Sequence, residues 1–214
     1  MTRRRLLLAC VAGVAVLVTA GIAFAASHGV TSARLTTYIA ASTVPGCSAP
    51  GTQTVSSNAD SWVDQQSATN NFGGDSILKV RSLTGNSNMR ALVRFGLPAL
   101  PSGCTVTAAT LRLWAGSFSS GRTLQAYQVA SSWTEGGVTW NNQPSTTGTP
   151  ATTASGSGWR QWTVTSLVQA MYSGTNNGFL IRDSVENASG GFEQQLHSKE
   201  KAPDNPPELA ITFG

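Results

Sequence analysis

At 214 residues, with 22 Gly, 9 Pro and only 11% charged side chains, the chain has room for one domain with a proper core and lacks the Lys and Glu density of a helical bundle. Its short Val/Leu/Thr/Trp runs, bounded by Gly, Asn and Ser, point to an all-β architecture. The formal charge of +4 gives no case for nucleic acid, because three of the fourteen basic residues are Arg3-Arg4-Arg5; without them eleven basic face ten acidic side chains, a charge of +1.

Residues 1–25 have a signal-peptide layout: the Arg cluster, an apolar run from Leu6 to Val18, then Ala23-Phe24-Ala25 as a small-x-small cleavage site. Export and cleavage near Ala25 are expected, so the mature chain has no membrane segment. The competing reading is an uncleaved anchor, since the apolar stretch approaches the ~20 residues that a span needs. Residues 26–50 are rich in Ala, Ser and Thr and carry Pro45-Gly46 and Pro50-Gly51, which reads as a linker or N-terminal arm. Cys47 and Cys104 remain in the exported part, and an even number of cysteines in an oxidising compartment predicts a disulfide between them.

From residue 51 to 214 the pattern is that of a β domain. Strands are expected over Thr54–Val63 and Ile77–Arg81, with turns at Asn70–Asp75 and Gly85–Asn88. Arg90–Leu97 alternates, with Ala91, Val93, Phe95 and Leu97 on a core face and Arg90, Leu92 and Arg94 on the other. Thr107–Ala115 repeats the pattern, turning Ala109, Leu111 and Leu113 inward and Thr110, Arg112 and Trp114 outward. Leu124–Ala130 leads into Ser131–Pro144, which holds two of the six tryptophans.

That segment reads as a structural corner. Gly136-Gly137 would reverse the chain with positive φ between Trp133 and Trp140, and Glu135, Asn141 and Asn142 would serve as partners for the indoles. An aromatic ligand platform is the alternative. Ser145–Gly158 is read as a loop, Trp159–Val164 as a strand, and Thr165 or Ser166 as the cap of a short helix that buries Val164, Leu167, Val168 and Met171 and stops at Gly174. Gly178–Asp183, Glu193–Ser198 and Leu209–Phe213 complete the strands. The expected fold is a two-sheet antiparallel β-sandwich of jelly-roll type with one short helix, and a closed barrel is the runner-up.

Catalytic chemistry needs a base or nucleophile held by partners, and the candidates are sparse. Asp60 with Asp64, or Glu186 with Glu193, could form a carboxylate pair, but solvated turns explain such residues more often. His28 and His197 stand alone. Asp60, Asp64, Asp75 and nearby Asn side chains are hard oxygen donors of the sort calcium takes; the EF-hand loop is absent and no cofactor or metal site is assigned, but a structural calcium stays open. Lys79, Arg81, Arg90, Arg94, Arg112 and Trp114 lie on strands that could adjoin, giving cations for carboxylates and an aromatic for a sugar face. The alternative is that these arginines brace the sheet.

Taken in order, Ala59-Asp60-Ser61-Trp62-Val63, Asn71-Phe72-Gly73, Arg90-Ala91-Leu92-Val93-Arg94-Phe95, Ala109-Thr110-Leu111-Arg112-Leu113, Trp133-Thr134-Glu135 with Val138-Thr139-Trp140-Asn141, Gly178–Asp183 and Pro206-Pro207-Glu208-Leu209 form a recognisable set. Together they resemble the secreted bacterial DNRLRE domain, grouped with carbohydrate-binding module family 96 and the disaggregatase-related repeats, over roughly Thr52 to Phe213. The resemblance implies a jelly-roll module of the kind appended to polysaccharide lyases, hydrolases and surface proteins, some of which bind acidic polysaccharides such as alginate. A secreted, monomeric, non-catalytic carbohydrate-binding module for a uronate polymer is therefore expected. A structural or adhesive surface or matrix protein without a glycan ligand is the alternative, and a polysaccharide lyase or hydrolase the remaining one.

Overall fold

The structure, a computed structural model, describes residues 46–214; the expected signal segment 1–25 with its cleavage site, His28 and residues 26–45 of the arm lie outside the described residues. Ten strands follow in chain order: β1 (Gly51–Asp64), β2 (Ile77–Ser82), β3 (Met89–Phe95), β4 (Val106–Phe118), β5 (Thr123–Val129), β6 (Thr146–Ala154), β7 (Gly158–Thr163), β8 (Phe179–Asp183), β9 (Phe192–His197) and β10 (Glu208–Phe213). A helix, α1 (Thr165–Ser173), follows β7, and a 3₁₀ turn at Lys199–Lys201 precedes β10.

The all-β expectation holds, but the pairing does not divide into two separate jelly-roll sheets. β1, β10, β4, β9, β2 and β3 pair in that order and β3 pairs back to β1, closing a six-strand barrel-like ring; β8, β5 and β6 extend outward from β3, and β7 pairs the other side of β4. Two long strands make the closure. The first part of β1 pairs β10 and the rest pairs β3, and β4 passes likewise from β10 to β9. At each passage one residue is extra, Asn58 in β1 and Gly116 in β4, which is the bulge geometry that bends a strand from one neighbour to the next. The ring is thin at one place, where β2 meets β3 through the pair Arg81–Met89.

Alternation along the strands fills two clusters. Ala91, Val93 and Phe95 of β3 and Leu111 and Leu113 of β4 point into the main core with Trp162, Phe179 and Phe213. On the opposite face of β1, β3 and β8, a smaller cluster of Ala59, Val63, Leu92 and Leu180 is roofed by Trp133 and Val138 of the β5–β6 connection. Leu167, Val168 and Met171 of α1 join the main core, as their spacing requires.

The helix start departs from expectation. Val164 occupies the cap position without a side-chain cap bond, and the Thr165 hydroxyl instead accepts the Ala109 N–H at 3.0 Å, tying the helix to β4. Residues 145–158 are not a loop throughout, since β6 pairs β5 along Thr146–Ala154 as an edge strand. The Cys47–Cys104 disulfide is present and pins the end of the arm beside β4.

Candidate functional site

Outward residues of β10, β4 and β7 form one open face. Trp114 of β4 lies opposite Trp159 of β7, and Arg112 lies between Glu208 of β10 and Gln161 of β7. The two indoles meet edge to face at 5.6 Å, and the Arg112 guanidinium stacks 4.3 Å from the centre of the Trp159 ring. One Arg112 nitrogen donates to Glu208 at 2.7 Å, leaving most of its five N–H donors without an acceptor among the described residues. Thr110 and Thr163 continue the face, and the His197 ring approaches Trp114 at 6.4 Å. Two partly exposed aromatic surfaces at an angle, with an adjoining guanidinium, can cover apolar sugar faces and take a carboxylate.

The expected row of cations does not form. Between β2 and β4 lies β9, and the Arg-bearing face of β3 is turned under the Trp133–Trp140 connection, so Lys79, Arg81, Arg90, Arg94 and Arg112 occupy several surroundings. Arg90 is the most fully engaged: Nε and Nη2 donate to the two oxygens of Glu186 at 2.7 Å each, Nη1 donates to Gln143, and Trp140 lies over it at 4.5 Å. Arg81 reaches the Ser87 carbonyl and hydroxyl with Asp64 at 3.6 Å and Glu193 at 3.9 Å. Arg94 donates to the Trp133 carbonyl, and Lys79 lies over the Trp62 ring. Side-chain exposure ranks the three ion-paired arginines of the row: Arg112 31%, Arg90 22% and Arg81 18%.

The corner folds by a different set of bonds from those expected. Trp133, 7% exposed, donates its indole N–H to the Asn177 carbonyl at 2.8 Å. Glu135 accepts the Asp60 N–H at 2.8 Å, and the Asn142 side chain closes the turn by accepting from Thr139 and donating to the Gly137 carbonyl. Asn141 contributes its backbone N–H to the Ala68 carbonyl, and neither Gly136 nor Gly137 adopts positive φ. The residue that sequence reasoning missed here is Asn71, whose amide donates to both the Glu135 and Val138 carbonyls. Gly73 is required beside it, because a Cβ there would run into the Glu135 carbonyl. Beneath Trp133 a hollow of about 270 Å³ opens among Ser132, Thr134, Gly137 and Asn142.

No expected catalytic pair is assembled among the described residues. Asp64 faces Arg81, Glu186 is held by Arg90, Glu193 bonds Gln195, and Asp75 accepts the Trp62 indole N–H at 2.9 Å. His197 bonds the Asp204 carbonyl through Nδ1. Asp60 stands apart: it is 0% exposed, and burial pushes its carboxyl up to about 7, against the Lys199 N–H and Ser57 hydroxyl that favour its charge and with the negative Glu200 and Glu135 adding to the rise. The calcium-type donors expected at Asp60, Asp64 and Asp75 are therefore separated.

Trp159 and Glu208 were not singled out as site residues, yet one signal was available. Trp159 and Trp162 are three apart in a strand, so a period of two sends them to opposite faces and one indole must point outward. Trp162 is the buried one.

The all-β frame thus carries a partly exposed aromatic pair and an adjoining arginine on one face of β10, β4 and β7. The model of carbohydrate-binding module family 96 matches residues 51–213, and the chain belongs to that family. A polysaccharide is accordingly its partner. No curated protein matches the chain. Modules of this class are commonly extracellular, which the disulfide fits, and among the described residues no helix is long and apolar enough to cross a membrane.

Proposed function

We propose that the chain is a secreted, monomeric, non-catalytic module of the DNRLRE type that binds an acidic polysaccharide, alginate-like or another uronate polymer, across the outer face of β10, β4 and β7. The observation that carries this reading is Arg112, stacked on Trp159 beside Trp114 with one of its donors on Glu208. Trp159 and Trp114 cover apolar sugar faces, while the guanidinium takes a uronate carboxylate in parallel hydrogen bonds. Arg90 and Arg81 are braces, because carboxylates and loop carbonyls already occupy their donors. Individual contacts at such exposure are weak, so several sugar units bind together and short oligomers bind poorly.

The test is a panel of alginate, pectate and neutral glucans, with turnover of the same polymers assayed in parallel. Salt-sensitive binding to the uronate chains without cleavage supports the reading. Cleavage would move the chain to the enzymes, and a protein that binds none of the polymers would fit a structural surface role. N-terminal sequencing of exported material settles secretion, with a start near residue 26 expected.

A further inference from the structure

Three carboxylates from distant parts of the chain converge below the Trp133–Trp140 corner. Asp60 of β1, Glu135 of the corner and Glu200 of the 3₁₀ turn each offer an oxygen within 4.8 Å of the others. Asp60 Oδ2 accepts the Lys199 N–H at 2.9 Å and the Ser57 hydroxyl at 3.0 Å. Its Oδ1 has no hydrogen-bond partner among the described residues although the residue is completely buried. The Ser198 hydroxyl, 0% exposed, lies against Glu200 and favours its charged form.

Three acids face one ammonium there. Lys199 Nζ is 3.1 Å from Glu135 and pairs with Glu200, but it does not reach Asp60 Oδ1. A buried carboxylate oxygen without a donor, beside an excess of negative charge, is what a hard cation satisfies. The set contains oxygen only, and His197 is engaged elsewhere through Nδ1, so the chemistry disfavours zinc. A site with three carboxylates also fits calcium better than magnesium, which keeps several waters and uses one or two carboxylates.

We propose that Asp60, Glu135 and Glu200 bind a calcium ion that fastens the corner to β1 and to the segment before β10. Lys199 is the competing cation. Its long side chain occupies the carboxylates when the ion is absent and swings outward when calcium binds.

The experiment uses the full chain stripped with EDTA, then titrated with calcium chloride or magnesium chloride while heat of binding and thermal midpoint are followed. One calcium per chain is expected, with a saturable rise in midpoint on the order of 5 °C, and a much smaller response to magnesium. Glu200→Gln should abolish the calcium response while its circular dichroism stays native, and Lys199→Met should tighten calcium binding. Because Asp60→Asn could fail to fold, these two variants carry the test. No heat and no shift at millimolar calcium in the unsubstituted chain overturns the proposal, as does a Glu200→Gln protein that keeps the full response. Neither result bears on polysaccharide binding at β10, β4 and β7.

Discussion

Arg112 and Trp159 meet across the β4–β7 pair, the guanidinium 4.3 Å from the ring centre, on a face that the fold leaves open. Removing either side chain leaves the core intact, because both project away from Leu111, Leu113 and Trp162. Trp159→Ala and Trp114→Ala should each lower polysaccharide affinity by on the order of tenfold or more, measured by calorimetry, with little change in unfolding midpoint. Arg112→Lys keeps the charge and loses the planar fork, so its loss should be larger on uronate chains than on neutral ones.

Arg90 should behave in the opposite way. Its two-point pairing with Glu186 is mostly covered, and Trp140 shields the guanidinium from above. Arg90→Ala leaves a partly buried carboxylate without its partner, which should cost about 1–3 kcal/mol in chemical denaturation while polysaccharide affinity per folded molecule is unchanged.

The two corner tryptophans should separate. Trp133 closes the smaller cluster and anchors to Asn177, so Trp133→Ala should cost roughly 3–5 kcal/mol, read from the denaturation midpoint. Trp140 is only partly buried against that cluster, and its loss should cost clearly less. Arg94→Ala removes the bond to the Trp133 carbonyl and should weaken the same corner by about 1 kcal/mol.

Reduction should lower the thermal midpoint through Cys47–Cys104, which closes a loop with a sequence separation of 57. In the chain-entropy picture the constraint is worth on the order of 4 kcal/mol. Calorimetry with and without reductant checks it, and Cys104→Ser should reproduce the reduced value.

What the sequence shows and what it hides follow from period and distance. The faces of β3 and β4 were readable because apolar and polar residues alternate there, and that placed Arg112 and Trp114 outward correctly. β6 was hidden because Thr146–Ala154 carries no apolar alternation; it is an edge strand whose pairing is dictated by β5. A closed barrel was the runner-up reading, but which strands close the ring was not legible, since that depends on bulges at Asn58 and Gly116 that let two long strands change neighbours. The same closure separates the cations that were expected to share a row. Asp60 and Glu135 are 75 positions apart, and only the packing of the corner brings them together.

The most direct measurement of the central claim is alginate binding by the unsubstituted chain and by Trp159→Ala and Arg112→Ala, at low and high salt, beside a neutral glucan. The account predicts salt-sensitive binding to alginate that exceeds binding to the glucan, and that both substitutions abolish or strongly weaken while the proteins stay folded. Unchanged alginate binding by the two folded variants would contradict it.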